Sequence, residues 1–359
     1  MAGFGLSGTG TTPPIYQPNP GSPSSSTDYV AAGFVPELWS GKLIEKFYAA
    51  TVLAAISNTD YEGEIKSYGD RVKIRQKPTI VINNYLVNAD LSLQRPVGNF
   101  SELYIDQGKY FSTILDDVIE KQSDINNLSI WADDASEQMK IAVDTDVLLF
   151  ILNKAYNGAG GTPTVPTAGA NMGASAGAIS QNINLGTNAA PLSTVGRNPT
   201  TSQVEIIDVI LRLGQTLDEQ NIPETGRWVV MPTWSTFQLK RSELREVFVS
   251  GDQTSILRNG RFGQVDRFTI YASNLLPGNN SAGSGLSVGV WPIYAGHAHA
   301  LTFASQLTNV ETIRSERTFG QILRGLQVYG RQVLASNPVI PVGQSEALAQ
   351  ALVTQVPGA

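Results

Sequence analysis

Between Gly108 and Gly158 the chain contains neither glycine nor proline. Those two residues most often end a helix, so the run can hold one far longer than a small globular core requires. Asp124 is the expected N-cap. Leu128, Trp131, Ala132, Ala135, Met139, Ala142 and Val143 then mark one face at helical spacing. The stretch VLLFIL that follows is apolar nearly all round, which predicts a deeply buried end. From Asp124 to Tyr156 such a helix rises about 50 Å, at 1.5 Å per residue. A heptad coiled coil competes with this reading, but the stripe is short and rich in alanine.

The segments on either side have other characters. Residues 1–35 are rich in Gly, Pro, Ser and Thr and cannot bury a core of their own. They read as a disordered tail or as an arm that becomes ordered on a neighbour. A first helix is expected from Pro36, with Leu38, Trp39, Leu43, Phe47, Ala50 and Leu53 on one side, ending at Asn58. From Thr59 to Gly108 the core pattern lapses. Val72 and Ile74, then Ile80 and Ile82, alternate across Pro78, which marks an edge-like strand. Asn83-Asn84 suggests the turn, with the return path after Asn88. So long an excursion from a compact chain implies a use outside its own core.

Residues 157–200 are mostly Gly, Ala, Asn, Thr and Pro and read as a surface insertion. Thr201 or Ser202 then caps a helix carrying Val204, Ile207, Leu211 and Leu217, with Glu205 completing a capping box on Ser202. A strand RWVVMP follows the turn IPETG. A short helix is expected over Thr233–Arg241, and strands at FTIYAS and SVGVWPIYA, separated by the loop GNNSAGSG. Two long strands close the pattern, at Asn309–Arg317 and Leu323–Leu334, and a small helix is expected after Pro338. No internal repeat is present.

Chemistry is hard to find in this chain. The histidines stand as His297-Ala298-His299 and share a face on a strand, but no third ligand is near in sequence and cysteine is absent. Asp116-Asp117 and Asp133-Asp134 are adjacent carboxylates, and helical neighbours point to different sides. The patterns GxxxxGK[ST], GxSxG and HExxH do not occur. No nucleophile, base and oxyanion donor assemble into a set, so no catalytic residue, metal or cofactor is assigned. The net charge of −6 opposes tight duplex binding. No run of 18 apolar residues is present to span a membrane, and the N-terminus does not read as a signal peptide. With 359 residues, roughly two domains are expected. Charged residues make up 16%, against about a quarter in an ordinary soluble domain. That deficit suits a surface largely covered by neighbours.

Several passages resemble the major capsid proteins of tailed double-stranded-DNA bacteriophages, whose fold also forms the floor of herpesvirus shells. FYAATVLAAISNTDYEGEIKSYGDRVKI is similar to that family's passage from first helix to extended loop, with YGDRVKI its most recognisable piece. IPETGRWVVMPTWSTFQL and ILRNGRFGQVDRFTIYASNLLP resemble its axial-domain turns and strands. VETIRSERTFGQILRGLQVYGRQVLASNP resembles its closing strands. The likeness is one of order and spacing, from Pro36 to Pro338, and the Gly/Ala-rich stretch 158–199 departs from it by its length.

The resemblance implies an α+β fold with an N-terminal arm (1–35), a first helix (36–58) and an extended hairpin loop (59–108). It implies a peripheral domain with a long spine helix and long strands (109–157 and 305–338). An axial domain with a central sheet flanked by helices would span 158–304, including the insertion 158–200, and 339–359 would be a C-terminal tail. It further implies a non-enzymatic shell subunit in the virion capsid, assembled in the host bacterial cytoplasm. Its partners would be further copies in pentamers and hexamers, a separate scaffolding protein, a portal protein at one vertex, weakly contacted DNA and, as an option, a decoration protein. With few residues before the first helix, no proteolytic trimming of the N-terminus is expected. Arg71, Lys73, Arg75 and Lys77 fall on one strand face. That face is either merely solvated or an assembly contact, meeting acids of a neighbour such as Asp116 and Glu120. Arg314, Glu316 and Arg317 are further candidates. Ile65–Arg95 is expected to be dispensable for folding and needed for assembly. A secreted or surface-layer adhesin is the competing structural reading, and a hydrolase with an unrecognised site a third.

Overall fold

The computed structural model describes residues 48–61, 71–88, 90–122, 127–152, 154–155, 168–177, 180, 182–242, 264–278, 284–336, 340 and 344–356. All lie in the compact unit Phe47–Ala359. The expected arm, the start of the first helix at Pro36 and the expected cap at Asp124 lie outside them. The described elements are mixed α and β, as expected.

The long helix is present as α3, Asn127–Ile151, about 37 Å at 1.5 Å per residue. It stops short of Tyr156: beyond it, Ala155 forms a bridge with Ser345. Its last turns carry Val143, Val147, Leu148 and Ile151, all buried, so the apolar run does mark a deep end. Leu128, Trp131, Ala135 and Met139, in the first half, are only half-buried. Of the expected first helix, the described residues hold only the short α1, Leu53–Ile56, since Tyr48–Val52 is not helical. Buried Asp144 of α3 accepts the Val52 amide at 2.9 Å, which fixes the chain at that non-helical step. Burial raises the pKa of Asp144, and the Val52 and Leu53 amides oppose the shift.

Among the described residues the strands form three sheets. In the smallest, β1 (Arg71–Arg75) pairs antiparallel with β2 (Phe100–Tyr104). In the second, β11 (Gly320–Val333) lies between β10 (Leu301–Arg314) and β3 (Gln107–Asp116). Its Tyr329 hydroxyl donates to Asp146 of α3 at 2.8 Å, and Arg331 pairs with the same carboxylate. This ties the sheet to the long helix. β3 was not expected; it is followed by α2, Asp117–Gln122.

The third sheet has the order β5-β4-β12-β9-β6-β8-β7. Its strands are β4 (Leu192–Val195), β5 (Gln203–Glu205), β6 (Arg227–Met231), β7 (Gln264–Val265), β8 (Phe268–Ala272), β9 (Val290–His297) and β12 (Leu348–Gln355). Both faces are covered. Trp228, Val230, Tyr294, Leu348 and Leu352 face the cluster around the end of α3. Val229, Met231, Ile293, Ala295, Ala349, Ala351 and Val353 face α4, Ile206–Glu219. Successive strand residues point to opposite faces, so strands covered twice read as unbroken apolar runs. Five aliphatic side chains of α4 are fully buried there, each contributing about 1.5–3 kcal/mol. The turn before β6 is closed by Gly226, at φ 75°, and by the buried Arg227, which donates to the Ile222 and Pro223 carbonyls and pairs with Asp218 at 2.7 Å. Helix α5 is Thr233–Arg241, as expected.

Three expectations need correcting. Ser202 does not cap α4: Gln203–Glu205 is spent on strand β5, which pairs with β4, and the helix starts at Ile206. The described part of 158–200 is not a surface insertion, because Met172, Ala176, Ile183, Leu185 and Leu192 are buried and β4 is a sheet strand. Lastly, 339–359 holds no small helix among its described residues. It contains β12, between β4 and β9 in the large sheet.

Candidate assembly surface

The hairpin springs from the β1–β2 ladder, whose last pair is Arg75 with Phe100. Gln76 then donates its N–H to the Asn99 carbonyl, and the chain runs out to a turn at Val87–Asn88. Asn88 takes the left-handed conformation there, φ 64°, which asparagine tolerates better than most residues. The turn thus lies beyond Asn83-Asn84.

The two faces of the hairpin root differ, as the alternation predicts. Val72 and Ile74 face inward onto Leu103 and Ala304. Arg71, Lys73 and Arg75 are exposed, and their cross-strand partners are Tyr104, Glu102 and Phe100. Glu102 therefore neutralises part of the basic face within the chain, at 3.4 Å from Lys73 and 3.6 Å from Arg71. The Tyr104 hydroxyl and these two cations hold its carboxyl below the usual range. Arg75 and Lys77 have no acidic partner among the described residues.

Beyond the root the hairpin is apolar and uncovered. Ile80, Val81, Ile82, Tyr85, Leu86 and Val87 on the outgoing leg are exposed, as are Leu91, Leu93 and Val97 on the return. Ile82 and Leu93 are 89% and 92% exposed. A monomeric surface seldom carries such a patch without a partner to cover it. Sequence reading marked the cations of this segment and missed its apolar legs, although Ile80 and Ile82 had already shown the alternation.

The other candidates lie on the second sheet. Asp116 ends β3 and accepts the Val118 amide at 3.1 Å, while Asp117 pairs with Arg314 at 2.6 Å. The two carboxylates thus take separate partners. Helix α2 exposes Val118, Ile119 and Glu120 side by side. Glu316 and Arg317 stand exposed in the β10–β11 turn beside Phe319, itself 82% exposed. In the other acidic pair, Asp134 accepts the Tyr48 hydroxyl at 2.7 Å. The structure does not bring the basic hairpin face and these acids together within one chain.

The histidines sit where β9 turns into β10, on the wall of a cavity of about 520 Å3 at the hairpin root. His297 Nδ1 accepts the His299 amide at 3.2 Å, which holds the ring as the Nε2–H tautomer. His299 Nδ1 lies 3.1 Å from the Asn58 amide nitrogen. Among the described residues no group of three metal-ligating side chains converges.

Burial, then the neighbouring His299, lower the pKa of His297. The folded state therefore holds fewer protons than the unfolded chain below about pH 6.5, the ordinary histidine value. The stability from neutral His297 is complete above that pH and is lost as pH falls toward the lowered folded pKa. Asp144, with its raised pKa, acts in the opposite sense. The Tm of the unassembled subunit is expected to fall between pH 6.5 and 5 more steeply in the parent than in His297→Gln. Equal slopes in a calorimetric pH series count against this.

A family model described as phage capsid protein matches residues 103–339. No curated protein matches the chain. Among solved structures, a chain of Mycobacterium phage Che8 is 22% identical, with a TM-score of 0.66, covering 89% of this chain and 97% of its own. The capsid structure of Cyanophage P-SCSP1u gives 12% identity, a TM-score of 0.63 and coverages of 90% and 93%. The mature capsid of bacteriophage PhiM1 gives 14%, 0.60, 93% and 95%. These likenesses show a shared fold. The family model runs from the end of β2 through β11, more than half of the chain, and the chain belongs to the phage capsid protein family.

Proposed function

We propose that the hairpin is the arm by which this capsid subunit grips an adjacent copy. The observation that carries this reading is the uncovered apolar surface of residues 80–97. Each large side chain there gains about 1.5–3 kcal/mol when a neighbour buries it. Arg75 and Lys77 accompany that surface, and Asp116 and Glu120 of a neighbour, beside its exposed Val118 and Ile119, present the complementary combination of acid and apolar side chains. Arg314 holds α2 against β10 through Asp117, while Glu316 and Arg317 supply a second contact at the β10–β11 turn. Such charge pairs set register and encounter rate more than affinity.

In this reading α3 and the three-stranded sheet form the peripheral domain. The seven-stranded sheet, with α4 and α5, forms the axial one. The subunit works by contact and not by turnover. It closes shells of fivefold and sixfold clusters in the host cytoplasm around weakly held DNA. A separate scaffolding protein, a portal at one vertex and an optional decoration protein are its partners.

Electron microscopy of the expressed chain, with and without a scaffolding partner, is the direct test. Closed shells are expected; a discrete monomer or dimer under both conditions overturns the proposal. Changing Arg75 and Lys77 to Gln should slow assembly most at 0.01 M salt, where the Debye length is about 30 Å. Arg71→Gln and Lys73→Gln should matter less, because Glu102 already answers both.

A further inference from the structure

The legs of the hairpin are joined beyond the ladder by a side chain. Bonding positions alternate along an antiparallel pair. After Gln76, which bonds Asn99, the next such position on the outgoing leg is Pro78, which has no N–H to give. Among the described residues, the hydrogen bonds that next cross between the legs both come from Gln94. Its Nε2 donates to the Val81 carbonyl at 2.6 Å, and its Oε1 accepts the Val81 N–H at 3.0 Å. A primary amide carries the donor and acceptor of a peptide group. Gln94 thus serves Val81 as the backbone of a paired strand would.

Two levels of different stiffness result. Residues 77–80 and 95–98 have no bond across the legs among the described residues. They contain Pro78, Pro96 and Gly98, where an added Cβ would meet nothing nearer than the Gln76 carbonyl oxygen at 3.9 Å. Beyond them, the Gln94–Val81 contact holds together the legs that carry Ile82, Leu86, Leu91 and Leu93.

We propose that Gln94 is a positioning residue for assembly. Its amide clasp fixes the spacing of the two apolar legs, so that they dock on a second copy as one preformed surface, and the proline level beneath lets that surface swing as a unit. This rests on the reading of the hairpin as the arm that grips a second copy. A splayed arm must be ordered at the moment of docking, and that ordering opposes association. Gln94 and Val81 are both exposed, so the subunit's own core does not depend on the clasp.

The test uses the full chain with Gln94→Ala, with Gln94→Asn and, as reference, with residues 77–98 replaced by a short Gly-Ser turn. Asparagine keeps the amide but is one methylene too short to reach. Three quantities are read: Tm, amide exchange over 79–97 in the unassembled subunit, and shell formation by light scattering. Tm should stay at the parental value and Val81 should exchange faster. Shells should form roughly tenfold more slowly in both Gln94 variants, the effect of losing two exposed hydrogen bonds of modest net strength. Parental assembly by Gln94→Ala or Gln94→Asn overturns the clasp, as does a Tm loss of many degrees, which makes Gln94 part of the fold. If the Gly-Ser reference itself closes shells, the failure lies instead with the arm.

Discussion

Replacing residues 77–98 by a short Gly-Ser turn is expected to leave a subunit that folds and builds no shell. The cut keeps the inward face of the root, where Val72, Ile74 and Leu103 pack, and the ladder bond from Gln76 to Asn99. Every described residue it removes is exposed, so little intrachain burial is lost. Shortening the loop even lowers the entropy cost of closing it, by about 0.6 kcal/mol for each halving of length. The thermal transition should stay cooperative and within a few degrees of the parent. Sedimentation should show small oligomers where the parent closes particles. Changing Ile82 and Leu93 to Ser in the intact hairpin should reproduce the assembly defect, since both are almost fully exposed in the subunit. Unfolding of the Gly-Ser variant places the hairpin in the core. Normal shells from it remove the hairpin from assembly. The boundary matters: a deletion over the whole of Ile65–Arg95 also takes out β1, whose inward residues belong to the subunit's own packing.

The sequence made some of this legible because local pattern and final environment agree. The long helix, α5, β6, β8 and the two closing strands each combine a clear period with a clear stop. β10 starts at Leu301, earlier than its pattern suggested. The hairpin face was legible too, but its internal pairing was not, because register depends on where the turn falls. A turn at Asn83-Asn84 sets Lys73 opposite Gln94; the observed turn at Val87–Asn88 sets it opposite Glu102. Both sites offer asparagine, and nothing local decides between them. The Gly/Ala-rich stretch misled for a different reason. Small residues ordinarily signal an exposed loop, whereas here they accompany Met172, Ile183 and Leu185 into the core. The capping box at Ser202 failed because tertiary pairing with β4 claimed the residues that would have opened the helix.

Ending the chain before Leu348 is expected to abolish folding. The segment LAQALVTQ is rich in Leu, Ala and Gln, good helix formers, yet it becomes β12, a central strand. Position in the sheet overrides propensity there. β12 pairs antiparallel with β9 from Leu348 to Thr354 and parallel with β4 from Val353 to Gln355. It is packed on both sides, with Leu348 and Leu352 against the α3 cluster and Ala349, Ala351 and Val353 against the α4 cluster. Gly296 marks how close the fit is: a Cβ there would stand 2.9 Å from Leu348 and 2.7 Å from Trp228. Losing β12 forfeits about 1.5–3 kcal/mol for each large aliphatic side chain and about 1 kcal/mol for each ladder bond. It also bares the edges of β9 and β4 and opens both cores to water. That sum reaches the whole stability of an ordinary domain, about 5–15 kcal/mol. A milder variant separates folding from synthesis. Ala351→Asp sets a carboxylate in a fully buried apolar face, at a cost of several kcal/mol, whereas Ala351→Ser should cost far less. Soluble yield and circular dichroism read the outcome. A truncated chain that melts cooperatively near the parental Tm would remove β12 from the centre of the fold.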